Sequence, residues 1–308
     1  MSGKALRLLR VGITVADLAR AEAFYRDALG FEPAGDPREA GPDYTAALGL
    51  PDARATVLRM RLGAQEIELA AFTPPGRPYP EGSASTDLWF QHIAIVVGDM
   101  AAAHARAAHV AATLGSGAAP ITEGGPQRLP PSSGGVTAWK FRDPEGHPLE
   151  LIAFPSGGGP ETWREIPRDA LTVGIDHSAI SVADAGRSAA FYGDVLGLSV
   201  ASREVNRGPE QERLDAVPGA VVDVVALAPP DAATPHVELL GYREPRGRPI
   251  PADLRANDVA ATRLIFETDE IPALAKALGV EDRLVGPGAP YLLGRDPDGH
   301  LLVFAEPF

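Results

Sequence analysis

Residues 91–99 read Gln-His-Ile-Ala-Ile-Val-Val-Gly-Asp, and residues 176–184 read Asp-His-Ser-Ala-Ile-Ser-Val-Ala-Asp. The same pattern occurs at 9–17 as Leu-Arg-Val-Gly-Ile-Thr-Val-Ala-Asp, and a weaker copy begins at Arg263. In the first three copies, branched apolar residues alternate with small or polar ones, which is typical of a β-strand with one buried face. The chain is therefore a fourfold repeat in which each copy opens with a strand.

Each opening strand is followed by an acidic residue that can cap a helix. This residue precedes an Ala-rich segment whose pattern favours an α-helix. The helices of copies one and three carry a Phe-Tyr pair, which begins at Phe24 and at Phe191. Aromatic residues at helical spacing are typical of a core face, so we predict that these pairs are buried. The four capping residues are Asp17, Asp99, Asp184 and Glu270.

Each copy closes with a β-rich stretch. Before the last strand of copies two and four comes the same turn, Asp-Pro-Glu-Gly-His at 143–147 and Asp-Pro-Asp-Gly-His at 296–300. Pro and Gly favour a tight turn into a strand, so we predict that the two histidines are structural or face solvent. The β-rich stretches run from Gln65 to Phe72, Val136 to Phe154, Val221 to Tyr242 and Pro290 to Phe304.

The repeat divides the chain into four modules, each in the order strand, helix and several strands. Residues 155–171 begin Pro-Ser-Gly-Gly-Gly-Pro and have the composition of a linker. We therefore expect one domain at 1–154 and a second at 172–308. The predicted modules are 1–80 and 86–154 in the first domain, and 172–245 and 257–308 in the second.

Length and composition limit the possible functions. At 308 residues the chain is long enough for two domains. Its formal charge of −13 and its scattered basic residues disfavour nucleic acid and anionic membranes as partners. With no cysteine, any metal must be bound by nitrogen and oxygen. Since no signal peptide or apolar stretch of membrane-spanning length is found, we expect a cytoplasmic protein, as a monomer or homodimer.

With the repeat laid out, the sequence resembles the vicinal oxygen chelate superfamily, which includes glyoxalase I, fosfomycin and bleomycin resistance proteins, and extradiol dioxygenases. The resemblance covers nearly the whole chain. It is carried by His-x-x-Ile-x-Val-x-Asp at His92 and His177, Phe-Tyr-x-Asp-x-Leu-Gly at Phe24 and Phe191, and the turn that begins at Asp143. It implies an α+β fold in which four βαβββ modules pair into two open, curved β-barrels around a divalent metal.

The resemblance also implies where metal ligands lie, on the first strand and the last strand of a module. Pairing of modules in chain order would give two incomplete sites. Pairing of modules two and three, and of one and four, is implied by the resemblance to fused, domain-swapped glyoxalases and gives one complete site. The ligand positions in the four modules are Arg10 and Glu68, His92 and Glu150, His177 and Glu238, and Arg263 and Val303.

The complete set is His92, Glu150, His177 and Glu238. Imidazole and carboxylate ligands suit one divalent Fe, Ni, Co, Mn or Zn ion. The other site should be metal-free, because arginine cannot be deprotonated to bind a cation, and Glu68 there is expected to pair with an arginine. His236 lies two residues before Glu238 on the same strand face and is a candidate substitute ligand.

Such a site predicts a small-molecule substrate that chelates the metal through vicinal oxygens. The favoured chemistry is proton transfer by a lyase or isomerase, with Glu150 or Glu238 as both ligand and catalytic base. Two alternatives stay open. With only three ligands the site matches a non-haem Fe(II) dioxygenase. The second alternative is a non-catalytic resistance protein that binds an antibiotic.

Contacts with the substrate are weakly marked in the sequence. The polar segment 206–213 precedes a strand of module three and could supply Asn206, Gln211 or Arg213, although a solvated loop also explains it. Trp139 could form a wall of the pocket, but large aromatic residues are usually just buried.

Overall fold

A computed structural model describes residues 5–114, 119–231, 233–280, 284–285 and 291–306. Pro290, the predicted start of the last β-rich stretch, lies outside these residues. In the described residues the strands are β1 (Ala5–Val15), β2 (Glu32–Pro33), β3 (Arg38–Glu39), β4 (Arg54–Leu62), β5 (Gln65–Thr73), β6 (Gln91–Val96), β7 (Gln127–Arg128), β8 (Thr137–Arg142), β9 (Pro148–Ala153), β10 (Gly174–Ser181), β11 (Ser199–Arg207), β12 (Val221–Ala228), β13 (His236–Glu244), β14 (Thr262–Thr268), β15 (Leu284–Val285), β16 (Tyr291–Arg295) and β17 (Leu301–Ala305).

The helices of the same residues follow the predicted order within each module. None of them is long and apolar enough to cross a membrane. Two short 3₁₀ turns occur at Pro131–Ser133 and Glu161–Trp163. The α-helices are α1 (Leu18–Leu29), α2 (Pro42–Ala47), α3 (Met100–Thr113), α4 (Ala185–Asp194), α5 (Pro209–Asp215) and α6 (Ile271–Leu278).

The strands form two curved sheets, and each sheet combines two modules. Sheet A joins modules four and one in the order β15-β16-β17-β14-β1-β5-β4-β2, with β3 paired to β4. Sheet B joins modules three and two in the order β11-β12-β13-β10-β6-β9-β8-β7. The α+β fold of paired βαβββ modules is thus confirmed, and so is the pairing of modules two and three. The division of the chain at 155–171 stays a prediction.

The first strand of each module meets its counterpart at the centre of a sheet. In sheet B, β6 runs antiparallel to β10, and His92 pairs with Ala179 while His177 pairs with Ala94. In sheet A, β1 and β14 make the same antiparallel contact. The junction of two modules therefore brings the two predicted ligand strands side by side.

The alternating apolar residues of these strands form the core. They pack with apolar residues of α1, α3, α4 and α6 in one cluster that extends through all four modules. Phe24 and Tyr25 are fully buried as predicted, whereas Phe191 is partly exposed. Residues that alternate with the core positions point to the opposite face of each sheet, called the inner face below. The core positions include Val11, Ile13, Val15, Ile93, Ile95, Val97, Ile180 and Val182.

Helix capping follows the prediction in three of the four modules. The side chain of Asp17 accepts a hydrogen bond from the backbone of Arg20, and Asp99 and Asp184 cap α3 and α4 in the same way. The prediction is wrong for Glu270, whose side chain makes no capping bond to α6. The first turn of α6 contains a proline, which removes one of the N–H groups that a cap would bind.

Short helices α2 and α5 cover the inner faces of sheets A and B. Leu48, at the end of α2, packs in two clusters with residues of sheet A. Leu214 of α5 packs against Ala94 and Ile152 of sheet B. The explanation of 206–213 as a solvated loop is therefore wrong, because β11 extends to Arg207 and α5 begins at Pro209 and buries Gln211 and Leu214.

The turn at 143–147 joins sheet B to sheet A through a buried histidine. Asp143 Oδ1 accepts hydrogen bonds from the backbone of Glu145 and His147, and Gly146 has φ 101°. His147 Nδ1 donates to Asp143 Oδ2 at 2.8 Å, and Nε2 lies 3.0 Å from the carbonyl oxygen of Thr14 and 2.9 Å from that of Val259. All three partners accept, so both ring nitrogens carry protons.

The turn at 296–300 repeats this arrangement. His300 Nδ1 donates to Asp296 at 2.8 Å, and Nε2 donates to the carbonyl oxygen of Leu88 at 2.7 Å. Both histidines are structural, as predicted, but they are buried and do not face solvent. Each therefore acts as a clasp between the two sheets.

The two clasps should make the stability of the fold depend on pH. Burial lowers the pKa of His147 and His300, but the adjacent Asp143 and Asp296 carboxylates outweigh it and raise both values. A raised folded-state pKa gives stability that is complete below the unfolded value of about 6.5 and is lost as pH rises through the folded value. Denaturant unfolding between pH 6 and 9 should show this decline.

The double variant His147→Gln/His300→Gln should show a clearly smaller decline, because glutamine does not titrate, and the decline that remains comes from His177, whose pKa is also raised, to about 9. His109→Gln, an exposed position on α3, is the matched control and should keep the decline. An unchanged slope in the double variant would show that other groups cause it.

Candidate metal centre

His92 and His177 face each other at the centre of the inner face of sheet B. They lie on β6 and β10, and each pairs across the strands with a small residue, Ala179 for His92 and Ala94 for His177. Their ring centroids are 5.8 Å apart. Both rings are almost fully buried. The small alanines leave space between two imidazoles that approach one point from neighbouring strands.

Glu150 completes a cluster with these two histidines. It lies on β9, which runs parallel to β6 and pairs Glu150 with Ala94. Its Oε2 is 2.9 Å from His92 Nε2, yet neither ring nitrogen of His92 has an aligned hydrogen-bond partner. Imidazole and carboxylate thus approach each other closely, in a geometry that is poorly aligned for a hydrogen bond between them. One ligand atom of each of the three side chains lies within 4.8 Å of the others.

Glu238 stands at the edge of this cluster. Its Oε1 lies 3.7 Å from His177 Nε2, and its side chain is 19% exposed compared with 8% for Glu150. The structure therefore brings all four predicted ligands to one place, with three of them in a tight group and Glu238 next to His177 on the more open side.

The protonation states of His92 and Glu150 suit metal binding. Burial lowers the pKa of His92 to about 4, so the ring is neutral at pH 7. Burial would raise the pKa of Glu150, but the close His92 and the positive charge of Lys140 lower it to about 2. A neutral imidazole beside an ionised carboxylate is the form in which both residue types bind a cation.

His177 is oriented by an aspartate that strand alternation does not predict. The register of β10 against β6 shifts between Ile175 and His177, so Asp176 is the extra residue of a β-bulge. Its Oδ2 accepts a hydrogen bond from His177 Nδ1 at 2.9 Å, and its Oδ1 accepts one from Trp163 Nε1 at 2.6 Å. Such a carboxylate fixes the ring and leaves Nε2 toward the site.

The surroundings of His177 raise the affinity of its ring for a proton, which a bound metal ion must replace. Burial would lower its pKa, but the carboxylates of Glu238 and Asp176 outweigh this and raise it to about 9. His236 forms a second group with Asp176 and His177, again within 4.8 Å. His236 is the more exposed of the two histidines. Its role as a substitute ligand stays a prediction.

Lys140 is a charged residue at the site that the sequence reasoning missed. It pairs with Glu150 across the hairpin of β8 and β9, and its Nζ lies 3.9 Å from Glu150 Oε2 and 2.7 Å from Asp215 Oδ1. Asp215 Oδ2 also accepts hydrogen bonds from Gln211 and Tyr242. A register counted outward from the turn at 143–147 would have placed Lys140 opposite Glu150.

The four predicted substrate residues lie in different surroundings. Gln211 is buried and reaches the site indirectly, through Asp215. Asn206 accepts a hydrogen bond from Ser133, and Arg213 donates to Gln127. Trp139 lies on the core face of β8 and stacks on Phe141, with ring centroids 4.3 Å apart.

The equivalent place in sheet A has a different set of charges. Arg10 Nε lies 3.8 Å from Glu68 Oε2, so the predicted ion pair is present. Tyr44 donates a hydrogen bond to Glu68 at 3.1 Å. Arg263 and Val303 are both buried. In the described residues, the groups that could bind a metal ion lie in sheet B.

Comparison with known proteins agrees with this architecture. A family model described as Glyoxalase/Bleomycin resistance protein/Dioxygenase superfamily matches residues 7–151 and 174–304. The structure of glyoxalase I from Zea mays is similar, with 18% identity and a TM-score of 0.59 over 97% of this chain and 92% of that one. A candidate dioxygenase from Bacillus subtilis is 14% identical, with a TM-score of 0.57 over 99% and 86%. No curated protein sequence matches the chain. At these identities the solved structures show a shared fold alone.

The ion pair of Lys140 with Asp215 generates a prediction about stability. Lys140→Met leaves a fully buried carboxylate without its cation, which should reduce the free energy of unfolding by about 3–5 kcal/mol. The double variant Lys140→Met/Asp215→Asn should recover part of this loss. Denaturant unfolding of metal-free protein measures both.

The exposed pair of Arg243 with Asp223 is the control, since surface ion pairs contribute little to stability. A small effect of Lys140→Met, equal to that of Arg243→Met, would contradict a structural role for the buried pair.

Proposed function

Because the chain belongs to the glyoxalase/bleomycin resistance protein/dioxygenase superfamily, we propose that it is a metal-dependent enzyme that transfers a proton within a small substrate with vicinal oxygens. The observation that carries this proposal is the convergence of His92, Glu150 and His177 from adjacent strands of two modules. Glu238 is proposed as the fourth ligand.

The residues present fit one divalent cation. Within the described residues, both ring nitrogens of His92 are buried without an aligned hydrogen-bond partner, and a cation would accept the lone pair of the ring nitrogen that carries no proton. His177 has its Nδ1 occupied by Asp176 and its Nε2 toward the cluster. Two imidazoles and two carboxylates suit Fe, Ni, Co, Mn or Zn. When bound, such an ion polarises a substrate oxygen as a Lewis acid.

The two glutamates are proposed to have different tasks. Glu150 is held between His92 and Lys140, which fixes it as a ligand. Glu238 is more exposed and lies on the open side of the cluster. We therefore assign it the role of base. Its carboxylate accepts the proton from the carbon that bears the hydroxyl and returns it to the neighbouring carbonyl carbon, while the hydroxyl proton passes to the former carbonyl oxygen, so the reaction is a redox-neutral isomerisation.

Metal analysis tests the site. The fully loaded protein should contain about one equivalent of divalent metal per chain, because ligands converge only in sheet B of the described structure. His92→Ala and His177→Ala should each lose it, since both bind the same ion. Glu68→Gln is the matched control from sheet A and should retain it. Two equivalents, or loss of metal in Glu68→Gln, would contradict this site.

The reaction class is tested by proton exchange. With α-hydroxycarbonyl compounds in D₂O under argon, the metal-loaded protein should exchange the proton on the carbon that bears the hydroxyl for deuterium, as followed by NMR. Glu238→Gln should lose roughly a hundredfold or more of this rate and keep its metal. Glu150→Gln should lose metal as well.

A second candidate function is favoured by the position of Glu238. Without it, the tight group of two histidines and one glutamate matches the facial triad of non-haem Fe(II) oxygenases. Dioxygen consumption by the Fe(II)-loaded protein with a catechol, together with no proton exchange under argon, would support this function against the isomerase.

A further inference from the structure

Sheet A places two arginines where sheet B has its two histidines. Gly12 pairs with Arg263 in the contact of β1 with β14, as Ala94 pairs with His177 in sheet B. Arg10 occupies the position that corresponds to His92. Arg10 is 4% exposed and Arg263 is fully buried. The interior of sheet A therefore contains two positive charges that a guanidinium cannot lose.

Arg10 has two carboxylate groups within ion-pair distance, whereas Arg263 has none among the described residues, although Glu68 pairs with Gly12 on the strand beyond it. Arg10 lies 3.7 Å from Glu66 and 3.8 Å from Glu68. Among the residues that the structure describes, no carboxylate oxygen lies within 4.0 Å of the Arg263 guanidinium. Its Nη1 donates to Thr14 Oγ1 at 2.8 Å, whereas Nε and Nη2 have no hydrogen-bond partner in the described part of the chain. A buried charge in this state is strongly unfavourable.

The guanidinium is held in place by its neighbours. A Cβ at Gly12 would lie 2.8 Å from Arg263 Nε and 3.3 Å from Nη2, so glycine provides the space that the side chain occupies. Thr14, which accepts from Nη1, is itself fixed by donating to the carbonyl oxygen of Ala256 at 2.9 Å. Cζ of Arg263 lies 5.9 Å from the centre of the Phe72 ring.

The two unpartnered nitrogens belong to one edge of the guanidinium. Nε and Nη2 present parallel N–H groups, the fork that binds two oxygens of a carboxylate or a phosphate. We propose that Arg263 forms a binding site for a small oxyanion in sheet A, at the place that corresponds to the metal centre of sheet B. The anion supplies both the missing acceptors and the missing negative charge.

The surroundings restrict the anion to a small one. The inner face around Arg263 is filled by the apolar cluster of Ile265, Leu293 and Val303, against which Leu48 and Tyr291 pack. Tyr44 and Tyr291 contact each other edge to face, with ring centroids 6.1 Å apart, and both are partly exposed. We place the entry beside these two tyrosines.

Thermal unfolding and titration calorimetry of the full chain test the site. Sodium phosphate and sodium acetate are compared with sodium chloride at equal ionic strength and constant pH. The site predicts a saturable rise in melting temperature with phosphate, with acetate or with both, and the effective ion identifies the oxyanion. Arg263→Met should abolish the rise, and Arg263→Lys, which keeps the charge but not the fork, should weaken binding roughly tenfold or more.

Arg61→Met is the matched control, because Arg61 lies exposed on β4 of the same sheet, and it should bind the anion as the unaltered protein does. A cooperative unfolding transition shows that each variant is folded. If neither anion raises the melting temperature beyond chloride, or if the rise persists in both Arg263 variants, the proposal is wrong.

Discussion

The antiparallel contact between β6 and β10 is the constraint on which the rest of the structure depends. The two strands belong to modules two and three, so the contact joins the two halves of the chain, whose modules cross over between the sheets. It places His92 beside Ala179 and His177 beside Ala94, which fixes both imidazoles on one face. The twin contact of β1 with β14 follows from the same crossing, and the buried clasps at His147 and His300 secure it from both sides.

The two sheets show how one scaffold supports opposite electrostatics. In sheet B the central positions contain imidazoles and carboxylates that gather positive charge. In sheet A guanidiniums, which are permanently charged, take the place of the two imidazoles. A helix of one or two turns covers each inner face, α2 in sheet A and α5 in sheet B. Only α5 brings a carboxylate, Asp215, to a lysine next to the site. The fold sets the positions, and the side chains there decide the chemistry.

The sequence predicted most of the fold because the repeat carries it. Period-two alternation predicted the core face of β1, β6 and β10, and the ligand positions of His92, Glu150, His177 and Glu238 came from the resemblance to the superfamily. Alternation could not predict Asp176, because a bulge shifts it to the side of His177. The sequence pattern also failed to predict α5, because the residues at 206–213 are mostly polar and Leu214, which packs α5 against sheet B, comes after them. Counting the register of the β8–β9 hairpin would have placed Lys140 opposite Glu150, but a search for metal ligands does not consider a lysine.

The central claim is that residues of modules two and three share one cation. Crystallography of protein loaded with zinc tests it most directly, since an anomalous difference map recorded at the zinc absorption edge locates the ion. The account predicts one strong peak per chain, within bonding distance of His92, Glu150 and His177. A peak bound instead by Asp176, His177 and His236, or one beside Glu68 in sheet A, would contradict it.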